Sequence, residues 1–124
     1  NNKLHFISPE NLAIPGRVKD VLGPDCWTDN NHLEKILPDL DVLYVTRIQK
    51  ERFPDIEDYL KVADIYRITA ELLRDAKPEL KVMHPLPRVS EISTNVDDTP
   101  HAAYFKQAFN GVPVRMALLE TLME

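Results

Sequence analysis

The feature that most constrains this fold is the run Asp41–Val45, whose last four residues are apolar and which ends abruptly at Thr46. Strands that are apolar at successive positions are typical of parallel sheets buried on both faces. Lys81–Met83 is a shorter run of the same kind. Because parallel strands are joined by crossover segments, usually helices, these runs predict an α/β fold.

The segments before Thr46 alternate between strand and helix patterns. In chain order they predict a strand over Leu4–Ser8, a helix over Pro15–Leu22, a strand over Cys26–Thr28, a helical turn or two over His32–Leu37, and a strand over Val42–Val45. This β-α-β-α-β order predicts a parallel sheet with right-handed crossovers.

The rest of the chain is expected to consist mostly of helices and loops. Phe53–Asp58 is acidic and interrupted by proline, which predicts a surface loop. The other predicted elements are a brief strand over Tyr66–Ile68, a helix from Thr69 to about Ala76, a helix from about Pro100 to Asn110 that Gly111 ends, and a last helix that Pro113 starts.

Composition limits the kinds of partner. The net charge of −5 argues against a nucleic-acid surface, which needs positive charge to neutralise phosphates. No apolar stretch approaches the roughly 20 residues that cross a bilayer, and no signal-peptide pattern is visible, so a soluble, cytoplasmic protein is expected. Cys26 is the only cysteine, which excludes an intrachain disulfide and predicts a buried structural thiol.

Arg47 and Gln49 follow the strand that ends at Val45, and ligands of open parallel sheets bind beyond the carboxyl ends of the strands. A guanidinium grips a carboxylate or a phosphate through two parallel bonds, and a carboxamide adds a donor and an acceptor. A binding site for a small anion is one interpretation. The other is that Arg47 and Glu51 form only a surface ion pair, worth about 0–1 kcal/mol.

The strand Lys81–Met83 also runs into an unusual loop, His84–Arg88. Pro85 and Pro87 remove two backbone donors, which leaves the carbonyl oxygens of Pro85 and Leu86 free to accept bonds from a ligand. A tight reversal directly after a strand is a typical setting for cis proline. We therefore predict a cis bond between Leu86 and Pro87.

The charged side chains near these loops have simpler interpretations. His84 has no acid beside it in the sequence, so it is expected to be satisfied by backbone groups rather than to act as a catalytic base. Arg88 is expected to fix the loop through a carboxylate such as Glu91. Lys50 is expected only to add positive charge.

The sequence carries no motif for cofactor chemistry. It has no Ser-His-Asp arrangement, no glycine-rich phosphate loop and no nicotinamide fingerprint, and His5, His32 and His101 lack metal-ligand spacing. No cofactor and no metal are therefore expected. A site of this kind would act by orientation and charge complementarity.

Long stretches of the sequence carry a family resemblance: Val45–Phe53, Met83–Val89 with Glu91–Ile92, and Tyr104–Ala108 with Asn110–Leu119. With them the chain resembles, nearly end to end, the aspartate-binding half of aspartate carbamoyltransferases. The resemblance implies a three-layer, Rossmann-like α/β sandwich with a mainly parallel sheet. Residues 1–124 would be a partial L-aspartate-binding domain, the incomplete second domain of that fold.

The resemblance also implies roles for the first loop. Arg47 would hold an aspartate carboxylate, Gln49 would help to orient the same substrate, and Glu51 would steady the arginine. Arg52 would pair with an acid of the other half during closure. Phe53–Asp64 would be a mobile loop that reorganises when substrates bind.

In the second loop, the resemblance implies that the backbone of Pro85, Leu86 and Pro87 shapes a carbamoyl phosphate site. The carbonyl oxygens of Pro85 and Leu86 would receive the carbamoyl NH2 group and the aspartate amine. Arg88 would have a supporting role.

The implied activity is transfer of the carbamoyl group of carbamoyl phosphate to L-aspartate, giving N-carbamoyl-L-aspartate and phosphate in de novo pyrimidine (UMP) biosynthesis. A homotrimer is implied as well, and a regulatory subunit is left open. The carbamoyl-phosphate half of the family, with its Ser-x-Arg-Thr loop, is absent from this chain. The chain alone is therefore expected to be incomplete for catalysis.

Two alternatives stay open. A transferase for another amine, such as ornithine, typically has cysteine after the loop histidine, where this chain has Pro85, and Arg47 suits an acidic substrate better than a cationic one. The missing half instead supports a non-catalytic aspartate-binding module, or an inert fragment.

Overall fold

The computed structural model describes residues 2–30, 32–63 and 65–123, and it divides the chain into two units between Ile36 and Leu37. Each unit contains one parallel, two-stranded sheet. The predicted α/β class and the parallel strand direction are confirmed. The strands of the described residues pair two by two, however, and not in the single continuous ladder that the strand order predicts.

The first unit is built on β1 (Leu4–Ile7) and β2 (Trp27–Asn30), with α1 (Gly16–Lys19) in the connection between them. The backbone of Pro15, at φ −57°, leads into α1, because the fixed φ of proline suits the start of a helix. The helix is shorter than the predicted range, since it ends at Lys19.

Cys26 lies just before β2, and its carbonyl oxygen accepts a 2.8 Å bond from the Leu4 backbone N–H. The thiol is free and the residue is half-buried, which corrects the expectation of a fully buried cysteine. The rings of Trp27 and Phe6 pack against each other across the sheet, with their centroids 6.2 Å apart.

The second unit opens with a 3-10 helix over Leu37–Asp39. Of the helical turns predicted over His32–Leu37, the described residues form a single turn, closed by the 3.1 Å bond from the Ile36 N–H to the Leu33 carbonyl, and Pro38 lies inside the 3-10 helix that follows. Proline is tolerated there, since the first turn of a helix leaves its N–H groups without partners in the helix.

The sheet of the second unit pairs β3 (Val42–Tyr44) with β4 (Lys81–Met83), and Leu43 lies opposite Val82. Both of these central side chains are buried. The two residues that flank Leu43 are 52% and 53% exposed, so only one face of β3 is covered by the described residues. The prediction of burial on both faces of this strand is therefore wrong for this chain.

The core of the second unit gathers around β4. Its side chains with less than 2% exposure are those of Leu37, Ile68, Leu80, Val82, His84, Ile92, Val96 and Tyr104. Isolated parallel bridges join Ile68 to Ile92 and Val82 to Ala102. Backbone pairing thus holds the residues before the last helix against β4, and joins the segment around Ile92 to Ile68.

The brief strand predicted over Tyr66–Ile68 is reduced to the bridge at Ile68. The Thr69 hydroxyl oxygen accepts a 3.2 Å bond from the Leu72 backbone N–H, as expected of a capping threonine. The helix that follows is a 3-10 helix over Leu72–Asp75, which is shorter than the prediction.

The acidic segment Phe53–Asp58, predicted as a loop, contains a short helix, α2 (Ile56–Leu60). Asp55 caps it, because its carboxylate accepts a 2.9 Å bond from the Glu57 backbone N–H. Acidic residues in the first turn also favour the helix dipole. Asp64, the last residue of the expected mobile loop, lies outside the described residues.

The last helix, α3 (Tyr104–Met123), is continuous, so the prediction of two helices is wrong. Gly111 keeps a negative φ and does not form the left-handed cap that would end a helix. Pro113 lies inside α3, where the missing N–H costs one bond without breaking the helix. The helix begins at Tyr104 and not at about Pro100, and the Thr99 hydroxyl before it donates to the Val96 carbonyl. Among the described residues, no helix is long and apolar enough to span a bilayer.

Candidate functional site

The two candidate loops leave the same edge of the second sheet. The strands β3 and β4 are parallel neighbours, and the Val45 N–H extends their ladder by donating a 2.9 Å bond to the Met83 carbonyl. The next residues along the chain are Thr46 and His84. In the described backbone, both loops therefore start side by side, beyond the carboxyl ends of parallel strands.

In the first loop, Arg47 Nη2 donates a 2.5 Å bond to Glu51 Oε1. The side chains are 38% and 57% exposed, so water screens the pair and its contribution to stability is on the order of 0–1 kcal/mol. This contact bears out the predicted pairing of Glu51 with the arginine. It leaves part of the guanidinium accessible to solvent. The ligand role of Arg47 stays a prediction.

Gln49 is half-buried and has an extended backbone, at φ −83° and ψ 102°. A 3-10 helix, Lys50–Arg52, follows it directly. Glu51 lies within this short helix, and its carboxylate reaches back to Arg47. Lys50 is exposed, and the side chain of Arg52 lies outside the described part of the structure, so its predicted role in closure stays a prediction.

In the second loop, the bond between Leu86 and Pro87 is cis, which confirms the prediction. Leu86 has a positive φ of 54°, which is disfavoured for a leucine. Pro85 and Pro87 are exposed, and Leu86 is half-buried. The predicted ligand roles of their carbonyl oxygens stay predictions.

His84 is the most buried polar residue of the loop, with 1% exposure. Its Nδ1 accepts a 2.8 Å bond from the Leu86 backbone N–H, and its Nε2 lies 2.7 Å from Glu91 Oε1. Its own backbone N–H donates a 3.1 Å bond to Gln107 Oε1 on α3. The backbone partner was expected, and an acid seven residues away in the sequence, Glu91, bonds the ring as well.

Glu91 is the residue that the sequence interpretation misplaced. It is 9% exposed, and its carboxylate accepts bonds from the Val89 and Ser90 backbone N–H groups at 3.0–3.3 Å as well as from His84. Burial acts to raise the pKa of Glu91, but the bonds from backbone N–H groups and from His84 outweigh it and lower the pKa. The signal that could have found this pair is the chain reversal at the two prolines, which returns the acid towards the histidine.

Arg88 pairs with Asp97, not with Glu91 as predicted. Its Nη1 and Nη2 both donate to the carboxylate, and the Nη2 bond is 2.6 Å long. The Tyr104 hydroxyl also donates to Asp97 and accepts a 3.2 Å bond from Arg88. The guanidinium lies over the rings of Tyr104 and Phe105, at 5.5 Å and 5.7 Å from their centroids. This cluster confirms that Arg88 fixes the loop.

The pKa values follow from these contacts. The hydrogen bonds that Arg88 donates lower the pKa of the Asp97 carboxyl group. The same bonds raise the pKa of the Arg88 guanidinium. Burial, and then the bond to Asp97, raise the pKa of Tyr104 to about 12. Tyr104 is buried in the core, whereas the neighbouring Phe105 is 55% exposed.

A cavity of about 230 Å³ lies in the first unit, among Phe6, Ser8, Glu10, Ala13, Asp29 and Asn30. None of the sequence-predicted site residues lines it. Within the described residues, no group of three or more acidic, histidine or cysteine side chains could hold a metal ion.

Known proteins match nearly the whole chain. The family model described as the aspartate/ornithine carbamoyltransferase, Asp/Orn binding domain, matches residues 2–122. A relative named aspartate carbamoyltransferase catalytic subunit, from Halorubrum lacusprofundi, is 58% identical over 122 residues, covering 97% of this chain and 39% of its own length. One of the same name from Thermococcus kodakarensis is 57% identical over 120 residues, covering 94% of this chain and 38% of its own length.

Solved structures give the same picture. The catalytic subunit of M. jannaschii aspartate transcarbamoylase superposes with a TM-score of 0.87 at 46% identity, covering 97% of this chain and 40% of that one. Aspartate transcarbamoylase from Trypanosoma cruzi in complex with carbamoyl phosphate and aspartate gives a TM-score of 0.84 at 37% identity, covering 94% and 40%. The chain thus spans about two fifths of the length of the relatives that it matches.

Proposed function

The chain belongs to the aspartate/ornithine carbamoyltransferase family, in its Asp/Orn-binding part, and we propose that it supplies the L-aspartate side of an aspartate carbamoyltransferase active site. Residues 1–124 form part of the L-aspartate-binding domain. The carbamoyl-phosphate domain comes from outside this sequence. The reaction is transfer of the carbamoyl group of carbamoyl phosphate to the amine of L-aspartate, in pyrimidine biosynthesis.

The observation that supports this proposal best is the shared edge of β3 and β4. It starts the Arg47 loop and the cis-proline loop side by side. Arg47 binds a carboxylate of aspartate through two parallel hydrogen bonds, and Gln49 orients the same molecule. The carbonyl oxygens of Pro85 and Leu86 accept hydrogen bonds from the carbamoyl NH2 group and the aspartate amine.

These groups work by holding two reactants together. The aspartate nitrogen forms a bond to the carbamoyl carbon, the bond from that carbon to the phosphate oxygen breaks, phosphate leaves, and the amine loses a proton. Orienting two bound reactants can supply roughly 7–11 kcal/mol of barrier reduction. A carbonyl oxygen that accepts from the amine directs the nitrogen lone pair towards the carbon.

The experiment compares the chain alone with the assembled protein, which we define as the chain combined with the carbamoyl-phosphate-binding half of a curated relative. Release of phosphate and formation of the carbamoylated amino acid are measured with L-aspartate and, separately, with L-ornithine as the acceptor. Activity with aspartate only in the assembled protein supports the proposal. Turnover of ornithine instead, or neither turnover nor aspartate binding in the assembled protein, would refute it.

The partners that the family resemblance implies belong to the same proposal. They are two further copies of the assembled protein, which would form a homotrimer. Whether a regulatory subunit binds this trimer is left open. Light scattering of the assembled protein tests the trimer. The cytoplasmic location stays a prediction that cell fractionation would check.

A further inference from the structure

The ring of His84 lies between two partners that fix where its hydrogen is. A backbone N–H can only donate, so the 2.8 Å bond from Leu86 requires an unprotonated Nδ1 that accepts. In the neutral ring the hydrogen then sits on Nε2, from which it points at Glu91 Oε1 at 2.7 Å. The carboxylate therefore selects the tautomer that can hold Leu86.

We propose that Glu91 and His84 are positioning residues, which together hold the peptide unit between Pro85 and Leu86, and with it the Pro85 carbonyl oxygen, in the orientation that receives the substrate. This inference rests on the proposed function, because it concerns the same carbonyl group. Neither side chain has to touch the substrate. The path runs from Glu91 to the His84 ring, from the ring to the Leu86 N–H, and so to the Pro85 carbonyl of the same peptide unit.

The backbone chemistry of the loop leaves His84 as the anchor of this turn. Pro85 and Pro87 have no N–H, so Leu86 carries the only backbone donor of the three residues. That donor is bonded to His84. Leu86 also has a φ of 54°, in the left-handed region, which a leucine occupies only where its surroundings hold it there.

Glu91 closes the loop from its other end. Its carboxylate accepts from Val89 and Ser90 in addition to the ring, so the same group is bonded to the residues after the turn and to the histidine before it. Because Glu91 is 9% exposed, water competes little with these bonds. The position of the ring is therefore set by the fold and not by solvent.

A pair of substitutions separates the two ring nitrogens. The carboxamide oxygen of asparagine reaches the position of Nδ1 and can still accept from Leu86, whereas glutamine reaches the position of Nε2 and can serve Glu91 but not Leu86. In the assembled protein we expect His84→Asn to keep kcat within about threefold and His84→Gln to lower it by 30-fold or more. His32→Asn, at an exposed histidine, is the matched control.

A purely structural role would lower both variants alike, so equal kcat values for His84→Asn and His84→Gln would overturn the proposal. The same holds if their order is reversed. Glu91→Gln should also lower kcat, because its NH2 group cannot accept from the backbone donors, and it should cost less in the His84→Asn background. Full additivity of the two losses would count against a shared path.

The ring itself supplies a test that does not depend on turnover. In 15N-labelled chain at neutral pH, the His84 ring should show a hydrogen-bearing Nε2 and an unprotonated Nδ1. A hydrogen on Nδ1 overturns the inference even if the variants fail to fold. If the unmodified assembled protein makes no carbamoyl aspartate, the proposed function fails, and the ring spectrum then shows whether the tautomer assignment was right.

Discussion

Arg88 and Asp97 face each other through two parallel hydrogen bonds, and this pair ties the end of the cis-proline loop to the residues that precede α3. The side chains are 16% and 27% exposed, so the pair is far better shielded than the Arg47–Glu51 pair. The Arg88–Asp97 pair thus holds two segments of the backbone together. The Arg47–Glu51 pair instead leaves the Arg47 cation accessible beside a sheet edge.

Asp97→Asn should destabilise the chain by about 1.5–3 kcal/mol, because it removes a charged acceptor from both Arg88 and Tyr104. Urea unfolding followed by circular dichroism measures the difference. The matched control is Asp58→Asn, which breaks an exposed pair with Lys61 and should change stability by less than about 0.5 kcal/mol. Similar losses in both variants would contradict the proposed tie.

Arg47→Ala should weaken aspartate binding to the assembled protein by about 1.5–3 kcal/mol, or roughly 10- to 150-fold, while carbamoyl phosphate binding changes little. The reason is that only aspartate loses a charged partner. Arg47→Lys should recover the affinity in part, because it keeps the charge without the two-pronged geometry. Calorimetry with each substrate measures this, with exposed Arg74→Ala as the control. Equal loss for both substrates would argue against the assignment.

Tyr104 should make the fold sensitive to alkali. Its pKa rises from 10.0 to about 12 in the folded chain, so folding favours the neutral phenol. That contribution is complete below pH 10 and is lost as the pH rises to about 12. The free energy of unfolding should therefore fall more steeply over this window in the unmodified chain than in Tyr104→Phe, by up to about 1.4 kcal/mol per pH unit. The other tyrosines remain in both proteins, so parallel curves would refute the prediction.

Pro113→Ala should strengthen the middle of α3 by up to about 3 kcal/mol, because it restores a helical N–H and removes the ring that crowds the preceding turn. Amide exchange over residues 109–117 and far-UV circular dichroism report the change. Pro100→Ala, which lies before α3, should leave the helicity as it is. If Pro113 started a separate helix, its substitution would change little, and exchange rates would stay the same.

The strand ends and the cis bond were predictable because both follow from local sequence. The apolar run before Thr46 and the two prolines around Leu86 act over a few residues. The Arg47–Glu51 contact is equally local, since the two residues lie only four positions apart in the chain. The start of both loops at one edge followed from the parallel direction of β3 and β4.

The contacts of the second loop were harder to predict because they join residues that sequence spacing does not relate. Glu91 lies seven residues beyond His84, and only the reversal through Leu86 brings them together. Arg88 pairs with Asp97 and not with Glu91, because the bridge between Ile68 and Ile92 sets the direction of the chain that leads to Asp97. Such pairs depend on the path of the backbone and not on periodicity.

The helix errors have local causes. The proline-broken acidic segment reads as a loop, yet one capping bond from Asp55 is enough to start α2. Glycine followed closely by proline reads as a helix end, yet Gly111 stays right-handed. An added Cβ at Gly111 would lie 2.6 Å from Arg115 Nη1, but this is the end of an exposed, flexible side chain that can move aside, so nothing in the structure explains the glycine.

The hydrogen bond from the His84 backbone N–H to Gln107 connects α3 to the start of the cis-proline turn. Turning that helix by one residue, about 100°, would swing the carboxamide out of reach of the strand end. A partner that rotated α3 would therefore break this bond to the turn. Conversely, a ligand that moved the turn would act on α3 through the same bond.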